Sequence, residues 1–401
     1  MKKKRIFISI YYLEIGGAEK SLISLLNNID YHKYSVDLFV HKHMGELMKE
    51  IPEMVNLLPE DENYSTFSTP IIDVIKKGKY NIAYGRLKAK IKSKFFRYIY
   101  KINNNISDFL YVTTYTEKYL PSLEKYGYYD LAISYIAPHN IVLSKVKARK
   151  KIAWIHTDYS KINLDIKNEK KVWKKYDHII SISQNVTLSF LKIFPDLENK
   201  IILMENIIEP QKIRELANEN IVDKEAFNDD NVIKICSVGR FSYAKNFENA
   251  VLICKKLVEK KLNVKWYLIG FGSFEKKIRR AIKENHLEDH FIILGKKNNP
   301  YPYIKLCDFY IQPSRYEGKA VTVLEAQILH KPVIITNFPT AKSQLRNGID
   351  GIIVPLDNDK AAESIYSFLN NKEKQKEIID NLKNSNFDNK KELEKIYKLI
   401  D

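Results

Sequence analysis

At 401 residues the chain is too long for one ordinary core and implies two domains of about 150–200 residues each. A hydrophobic fraction of 45% excludes a disordered chain, and 66 Lys+Arg against 49 Asp+Glu, a net charge of +17, suits an anionic partner: nucleic acid, an anionic membrane face or a phosphorylated substrate. No run of about eighteen apolar residues occurs, so no transmembrane helix is expected, and Cys236, Cys254 and Cys307, without CxxC spacing, read as buried thiols of a reducing, cytoplasmic compartment.

The basic start MKKKRIFISIYYLEIGG mimics a signal peptide, but its apolar run is short and no small-residue cleavage site follows, so Ile6–Tyr11 reads as a first strand. Gly16-Gly17 follows, then Leu22, Ile23, Leu25 and Leu26 at helical spacing. Strand, glycine turn, helix is an arrangement that cradles phosphate, because glycine lets the backbone approach a ligand. A lone Gly-Gly is not the G-x-G-x-x-G of a dinucleotide fold. Val36–Val40 and Val55–Leu58 continue the β–α alternation.

From Lys76 to Lys101 the alternation breaks. Ten Lys and Arg residues occur with no acid among them, and Leu87, Ile91, Phe95 and Ile99 recur every four residues. This predicts an amphipathic helix whose apolar stripe, flanked by Lys88, Lys90, Lys92 and Lys94 and ending in Phe95 and Phe96, suits an anionic bilayer surface. The alternative is a helix that packs its stripe on the core and leaves a solvated cationic back. No recognised nucleic-acid module surrounds the segment.

Asp130–Ser134 and Lys151–Ile155 are further strands, and His156-Thr157-Asp158 follows the second, at the carboxyl end where ligands bind in open α/β sheets. A histidine there can hydrogen-bond a ligand hydroxyl or stabilise charge near a reacting centre, and Asp158 is a weaker candidate beside it. His178–Ser183 and Ile201–Met204 complete the half, and the polar stretch Glu209–Asn231 reads as a connector with a short helix.

In the second half, strand Val232–Val238 runs into Gly239-Arg240, and Lys245-Asn246 opens a helix. Arg240 and Lys245 across that turn are placed to converge on one anion. Val264–Ile269 with Gly270-Phe271-Gly272, and His290–Leu294 with Gly295, repeat strand and turn. Asp308–Ile311 then leads through Pro313-Ser314 to the loop acid Glu317, a helix over Thr322–Leu329 carrying Glu325, and the buried strand Val333–Ile335. An ionised loop carboxylate can receive sugar hydroxyls, and one on the helix can receive a ribose diol. Gly348–Pro355, helices over Lys360–Leu369 and Lys372–Leu382, and a final pattern over Lys391–Ile400 close the chain.

GRFSYAK, GFG and SRYEGKAVTVLEA, in that order, resemble the GR-x4-K, G-x-G and E-x7-E segments of the retaining family-4 glycosyltransferases (glycosyl transferases group 1), of the bacterial capsule and exopolysaccharide type. KIAWIHTDY is similar to their segment that presents a histidine to the donor sugar. The resemblance implies an α/β GT-B fold: two Rossmann-like domains facing each other across a cleft. Residues 1–207 would be the acceptor side, with a helix over 388–401 packing back, and 208–387 the nucleotide-sugar domain. It implies donor contacts from Gly16, Gly17, Arg240, Lys245, Gly270, Gly272, Glu317, Gly318, Lys319, Ala320, Val321 and Glu325. Catalytic roles fall to His156, Glu317, Arg240 and Lys245. The family has glycine where this chain has Asn246.

The implied activity is metal-independent and cofactor-free transfer of a sugar from a UDP- or GDP-linked donor to a glycan or polyprenyl-linked acceptor. It would serve cell-surface polysaccharide synthesis, on a cytoplasmic enzyme peripheral to the inner face of the plasma membrane. Two alternatives are a nucleotide-sugar 2-epimerase of the same fold and a non-catalytic basic membrane-binding protein.

Overall fold

The computed structural model describes residues 3–101, 107–221 and 224–400; residues 1–2 and 401, at the ends of the expected domains, lie outside them. The chain divides into two compact units, Met1–Ile208 with Asn389–Asp401, and Glu209–Asp388.

Among the described residues, the first unit holds a seven-stranded sheet ordered β3-β2-β1-β4-β5-β6-β7. Its strands are β1 (Lys4–Ile10), β2 (Tyr34–Val40), β3 (Asn56–Leu57), β4 (Tyr128–Ser134), β5 (Lys147–Ile155), β6 (His178–Ser181) and β7 (Ile201–Leu203). Every pairing is parallel. Parallel strands covered by helices on both faces read as continuous apolar runs rather than alternating ones, which is why IFISI and IAWI stand out in the sequence. Ile6, Phe7 and Ile8 are fully buried, each contributing about 1.5–3 kcal/mol of burial. The Leu393–Ile400 helix belongs to this unit. Tyr397 stacks on Tyr34 with ring centroids 4.6 Å apart and accepts a hydrogen bond from the Asp30 amide at 2.9 Å.

The second unit, described by itself, holds a six-stranded parallel sheet ordered β10-β9-β8-β11-β12-β13 among the described residues. These are β8 (Ile233–Val238), β9 (Val264–Ile269), β10 (Phe291–Gly295), β11 (Phe309–Gln312), β12 (Val333–Thr336) and β13 (Ile352–Val354). In each sheet the strand order reverses once, between β1 and β4 and between β8 and β11. The loops leaving those two strands diverge to opposite faces and open a crevice at the carboxyl ends, the usual ligand position in doubly wound sheets.

In the helix Tyr80–Tyr100 the alternative expectation, a stripe packed on the core, is not met. This helix packs on the helix Asp108–Thr116, and its buried residues include Ile82, Gly85, Ala89 and Ser93. A Cβ on Gly85 would come within 2.5 Å of the Tyr115 carbonyl oxygen, so only glycine permits this approach. Ser93 Oγ donates to Asp108 Oδ1 at 2.5 Å, and Arg97 pairs with Asp108 Oδ2 at 2.6 Å. Leu87, Ile91, Phe95 and Ile99 face solvent. Phe96 does not join them: its ring turns inward onto Tyr100 and Tyr111, at centroid distances of 4.4 and 6.3 Å. The Asp108–Thr116 helix itself, FLYVTTYT in composition, is rich in β-branched and aromatic residues and carries no helical signal of its own. Among the described residues no helix is long and apolar enough to cross a membrane.

Candidate functional site

The second unit assembles its site at the β8/β11 reversal. The loop after β8 carries Gly239, Arg240 and Lys245, and the loop after β11 carries Ser314, Arg315 and Glu317. Lys245 Nζ meets Glu317 Oε1 at 2.7 Å, an ion pair with both side chains largely buried. The same oxygen accepts from Ser314 Oγ at 2.5 Å. Behind Ser314 runs a buried relay: Gln312 Nε2 donates to Ser314 Oγ at 2.9 Å, and Gln312 Oε1 accepts from Tyr310 Oη at 2.7 Å. Thr340 Oγ1 donates to the Glu317 carbonyl at 2.9 Å, so the acid's backbone is held as well. Every donor in this relay has an acceptor, which fixes the Glu317 carboxylate in place.

Arg240 differs from Lys245 in its surroundings. It is exposed and makes no hydrogen bond or ion pair among the described residues, while Lys245 is engaged with Glu317. The two cations therefore share no partner among the described residues. Asn246 accounts for the departure from glycine at its position: it adopts φ 60, ψ 29 as the residue before the Phe247–Glu259 helix. That left-handed conformation is open to glycine and, at modest cost, to asparagine.

Arg315 staples the two loops together. Its amide donates to the Ala244 carbonyl at 2.7 Å, its guanidinium to the Tyr243 carbonyl at 2.7 Å and to Glu248 Oε1 at 3.1 Å, and it stacks 4.2 Å above the Tyr243 ring.

Glu325 sits in the Val321–Ile328 helix, 3% exposed, with Tyr301 Oη donating to its Oε1 at 2.7 Å. It is a buried acceptor group rather than a surface charge. Of the Gly318–Val321 backbone donors expected to face a sugar, two are otherwise engaged. Ala320 N–H goes to Gln344 Oε1 at 2.9 Å and Val321 N–H to the Lys319 carbonyl at 3.1 Å. Gly270 and Gly272, at φ 148 and 153, let the β9 turn lie directly on the β8 turn. A Cβ on either would overlap the carbonyl oxygens of Gly239 or Phe241, and Phe241 N–H donates to the Phe271 carbonyl at 2.8 Å. Close packing of two turns is thus a sufficient reason for both glycines.

In the first unit the β1/β4 reversal borders a cavity of about 360 Å³ lined by Tyr11, Tyr12, Glu19, Ser68, Phe109 and Ala137. Gly16 precedes the Gly17–Asn28 helix, but Glu19 folds its carboxylate back over Gly16, so this helix amino end already faces a negative charge. A smaller cavity of about 130 Å³ is lined by His139, Trp154, His156 and Glu169. His156 Nε2 lies 3.0 Å from the Tyr135 carbonyl and must carry its proton to donate there, leaving Nδ1, which has no hydrogen-bond partner among the described residues, as an acceptor. Burial pulls the pKa of His156 down to about 4, with the Tyr135 bond opposing, so the ring is neutral at pH 7. It can accept a hydroxyl hydrogen but brings no cation. Asp158 is spent on a turn: its Oδ1 accepts from Ser160 N and Oγ at 2.9 and 2.7 Å.

The sequence gives no site role to Tyr301, Tyr310, Gln312, Arg315 or His139, and marks Ser314 only as part of the Pro313-Ser314 turn. A polar residue ending an apolar strand, as Gln312 does, was the available signal. Among the described residues no group of three His, Cys, Asp or Glu side chains could hold a metal ion.

Residues 218–385 match the sequence model of the family described as Glycosyl transferases group 1. That match lies within the second unit. The chain is 27% identical over 191 residues to an N-acetylgalactosamine-N,N'-diacetylbacillosaminyl-diphospho-undecaprenol 4-alpha-N-acetylgalactosaminyltransferase of Campylobacter jejuni, covering 47% of this chain and 50% of that one. It is 30% identical over 200 residues to the capsular polysaccharide biosynthesis glycosyltransferase CapM of Staphylococcus aureus, covering 48% and 52%. The chain spans about half the length of these curated relatives. Across both units the structure is similar to that of Anabaena Alr3699/HepE in complex with UDP-glucose: TM-score 0.69, 15% identity, covering 98% of this chain and 99% of that one. The fold is GT-B, with two Rossmann-like domains.

Proposed function

We propose that the chain is a retaining glycosyltransferase that takes a sugar from a UDP- or GDP-linked donor and passes it to a glycan or polyprenyl-linked acceptor of cell-surface polysaccharide synthesis. The observation that carries this reading is the Lys245–Glu317 pair, buried beside exposed Arg240 at the sheet reversal of the unit that holds the group 1 match. As the bond from the anomeric carbon to the nucleoside diphosphate breaks, negative charge grows on phosphate oxygens and positive character on the sugar. Arg240 and Lys245 would stabilise the first, a role that preorganised cations fill without a metal. A diphosphate drawing on Lys245 leaves the Glu317 carboxylate, still held by Ser314, to accept sugar hydroxyls. Glu325, with one oxygen held by Tyr301, would take the ribose. The acceptor hydroxyl would attack from the leaving-group side, which retains the anomeric configuration.

The relatives support the two substrate classes. The name of the Campylobacter protein carries a diphospho-undecaprenol acceptor, CapM is named for capsule, and HepE was crystallised with UDP-glucose. The test is a melting-temperature screen with UDP, GDP and ADP, followed by transfer from labelled donor to a polyprenyl-diphosphate glycan in EDTA. Stabilisation by UDP or GDP and transfer in chelator are expected. No shift with any of the three, or interconversion of the donor without acceptor, would sink the reading.

A further inference from the structure

The structure leaves one large apolar surface unexplained by donor chemistry. On the Tyr80–Tyr100 helix, Leu87, Ile91 and Phe95 are 48, 61 and 58% exposed, and Tyr80, Tyr84, Tyr98 and Ile99 extend the stripe along the same side. The neighbouring Ile71–Lys76 helix adds exposed Ile72 and Ile75. Isolated apolar residues on a surface need no explanation, but a contiguous stripe over five helical turns does.

Charge decides what covers it. Lys88, Lys90 and Lys94 are exposed beside the stripe, Lys88 Nζ lying 4.4 Å above the Tyr84 ring, and the helix contains no acid. Lys92, one residue from Ile91, lines a cavity of about 560 Å³ with Lys151, Lys171 and Lys175, in which Glu117 is the only acid among the described residues. A second copy of the chain would bring the same cations against these and be repelled. A neutral protein surface would leave them uncompensated. Tyrosines along an apolar stripe flanked by lysines are the pattern of a helix lying in a membrane interface.

We infer that the Tyr80–Tyr100 helix docks its exposed stripe on an anionic phospholipid bilayer, with the Lys92 cavity receiving headgroup phosphate. The inference does not depend on the transferase reading. The helix is held on the fold by its small-residue face, so the outer face is free to be changed without loss of packing.

The test is flotation of the full chain with phosphatidylcholine vesicles and with vesicles roughly one third phosphatidylglycerol. Salt-sensitive recovery with the anionic vesicles alone is expected. Ile91→Glu with Phe95→Glu should lower partitioning at least ~10-fold by opposing both terms. Neutralising Lys88, Lys90 and Lys94 to Gln should lower it about 100-fold, at roughly fivefold per lysine near the surface. Equal recovery with neutral vesicles, no binding at all, or unchanged binding by the Glu variant overturns the inference. So does sedimentation showing a wild-type dimer that the Glu variant converts to monomer. The variants' melting temperatures and their shifts with UDP are measured alongside. A lost vesicle interaction with an intact UDP shift speaks for the docking face, whereas a wild-type chain that floats but shows no UDP shift sinks only the donor reading.

Discussion

Breaking the Lys245–Glu317 pair is the sharpest test of the site. The two side chains are 19 and 10% exposed, and Glu317 Oε1 serves both Lys245 at 2.7 Å and Ser314 at 2.5 Å. Losing one partner of a buried pair costs about 3–5 kcal/mol. Lys245 retains some access to water, so a loss of about 2–3 kcal/mol is expected for Glu317→Gln, which still accepts from Ser314 but leaves the ammonium unpaired. For a unit of this size that lowers the melting temperature by about 5–10 °C. Lys245→Met should cost a similar amount by leaving the carboxylate unpaired. The double variant removes both charges, so it should be less damaged than the sum of the singles by about 1–3 kcal/mol. Thermal unfolding of the four proteins reads this directly. If the effects of the singles add to within about 0.5 kcal/mol, the two groups are not coupled in solution and the geometry argued for the site is wrong. UDP separates binding from stability, because only the two cationic chains should gain the full ligand-induced rise in melting temperature.

Four further outcomes follow from particular residues. Arg240→Ala should leave the melting temperature within the range of surface substitutions, about ±0.5 kcal/mol, while weakening UDP binding roughly 10-fold by removing a charged hydrogen bond; isothermal titration decides. Asn246→Gly should be neutral or stabilising, and Asn246→Val should cost about 1–2 kcal/mol because a β-branched residue resists φ 60; denaturant midpoints check both. Burial depresses the pKa of His41 to about 3, against about 6.5 in the unfolded chain, so its contribution to stability is complete above pH 6.5 and is lost as the pH falls toward 3. Between pH 6.5 and 5 the first unit should lose about 2 kcal/mol through this group, and His41→Gln should flatten that slope. Arg315→Lys should lower UDP affinity without abolishing folding, since lysine cannot reproduce the two carbonyl and carboxylate contacts at once; a variant with unchanged affinity would show that the staple does not position the loops.

Much of this protein is written locally. Short all-apolar runs such as Ile6–Ile10 and Val333–Ile335 declare buried parallel strands, and their alternation with 3.6-period stretches declares doubly wound sheets. Glycine turns and polar residues just past those strands mark where ligands can be met, and the resemblance of GRFSYAK and SRYEGKAVTVLEA to family segments is what singled out Arg240, Lys245, Glu317 and Glu325 there. Tertiary structure decided what those groups touch. Lys245 and Glu317 are 72 positions apart, and nothing in either segment says that they pair rather than both waiting on a ligand. The relay through Tyr310, Gln312 and Ser314 depends on two loops meeting at a sheet reversal, and strand order is not encoded in any one strand. The basic helix shows the same division: periodicity revealed a stripe, but the partner helix selected the opposite face, because Gly85, Ala89 and Ser93 let two backbones approach where Leu87 and Ile91 would hold them apart. Side-chain spacing is a property of one segment, whereas burial and pairing belong to the contact between two.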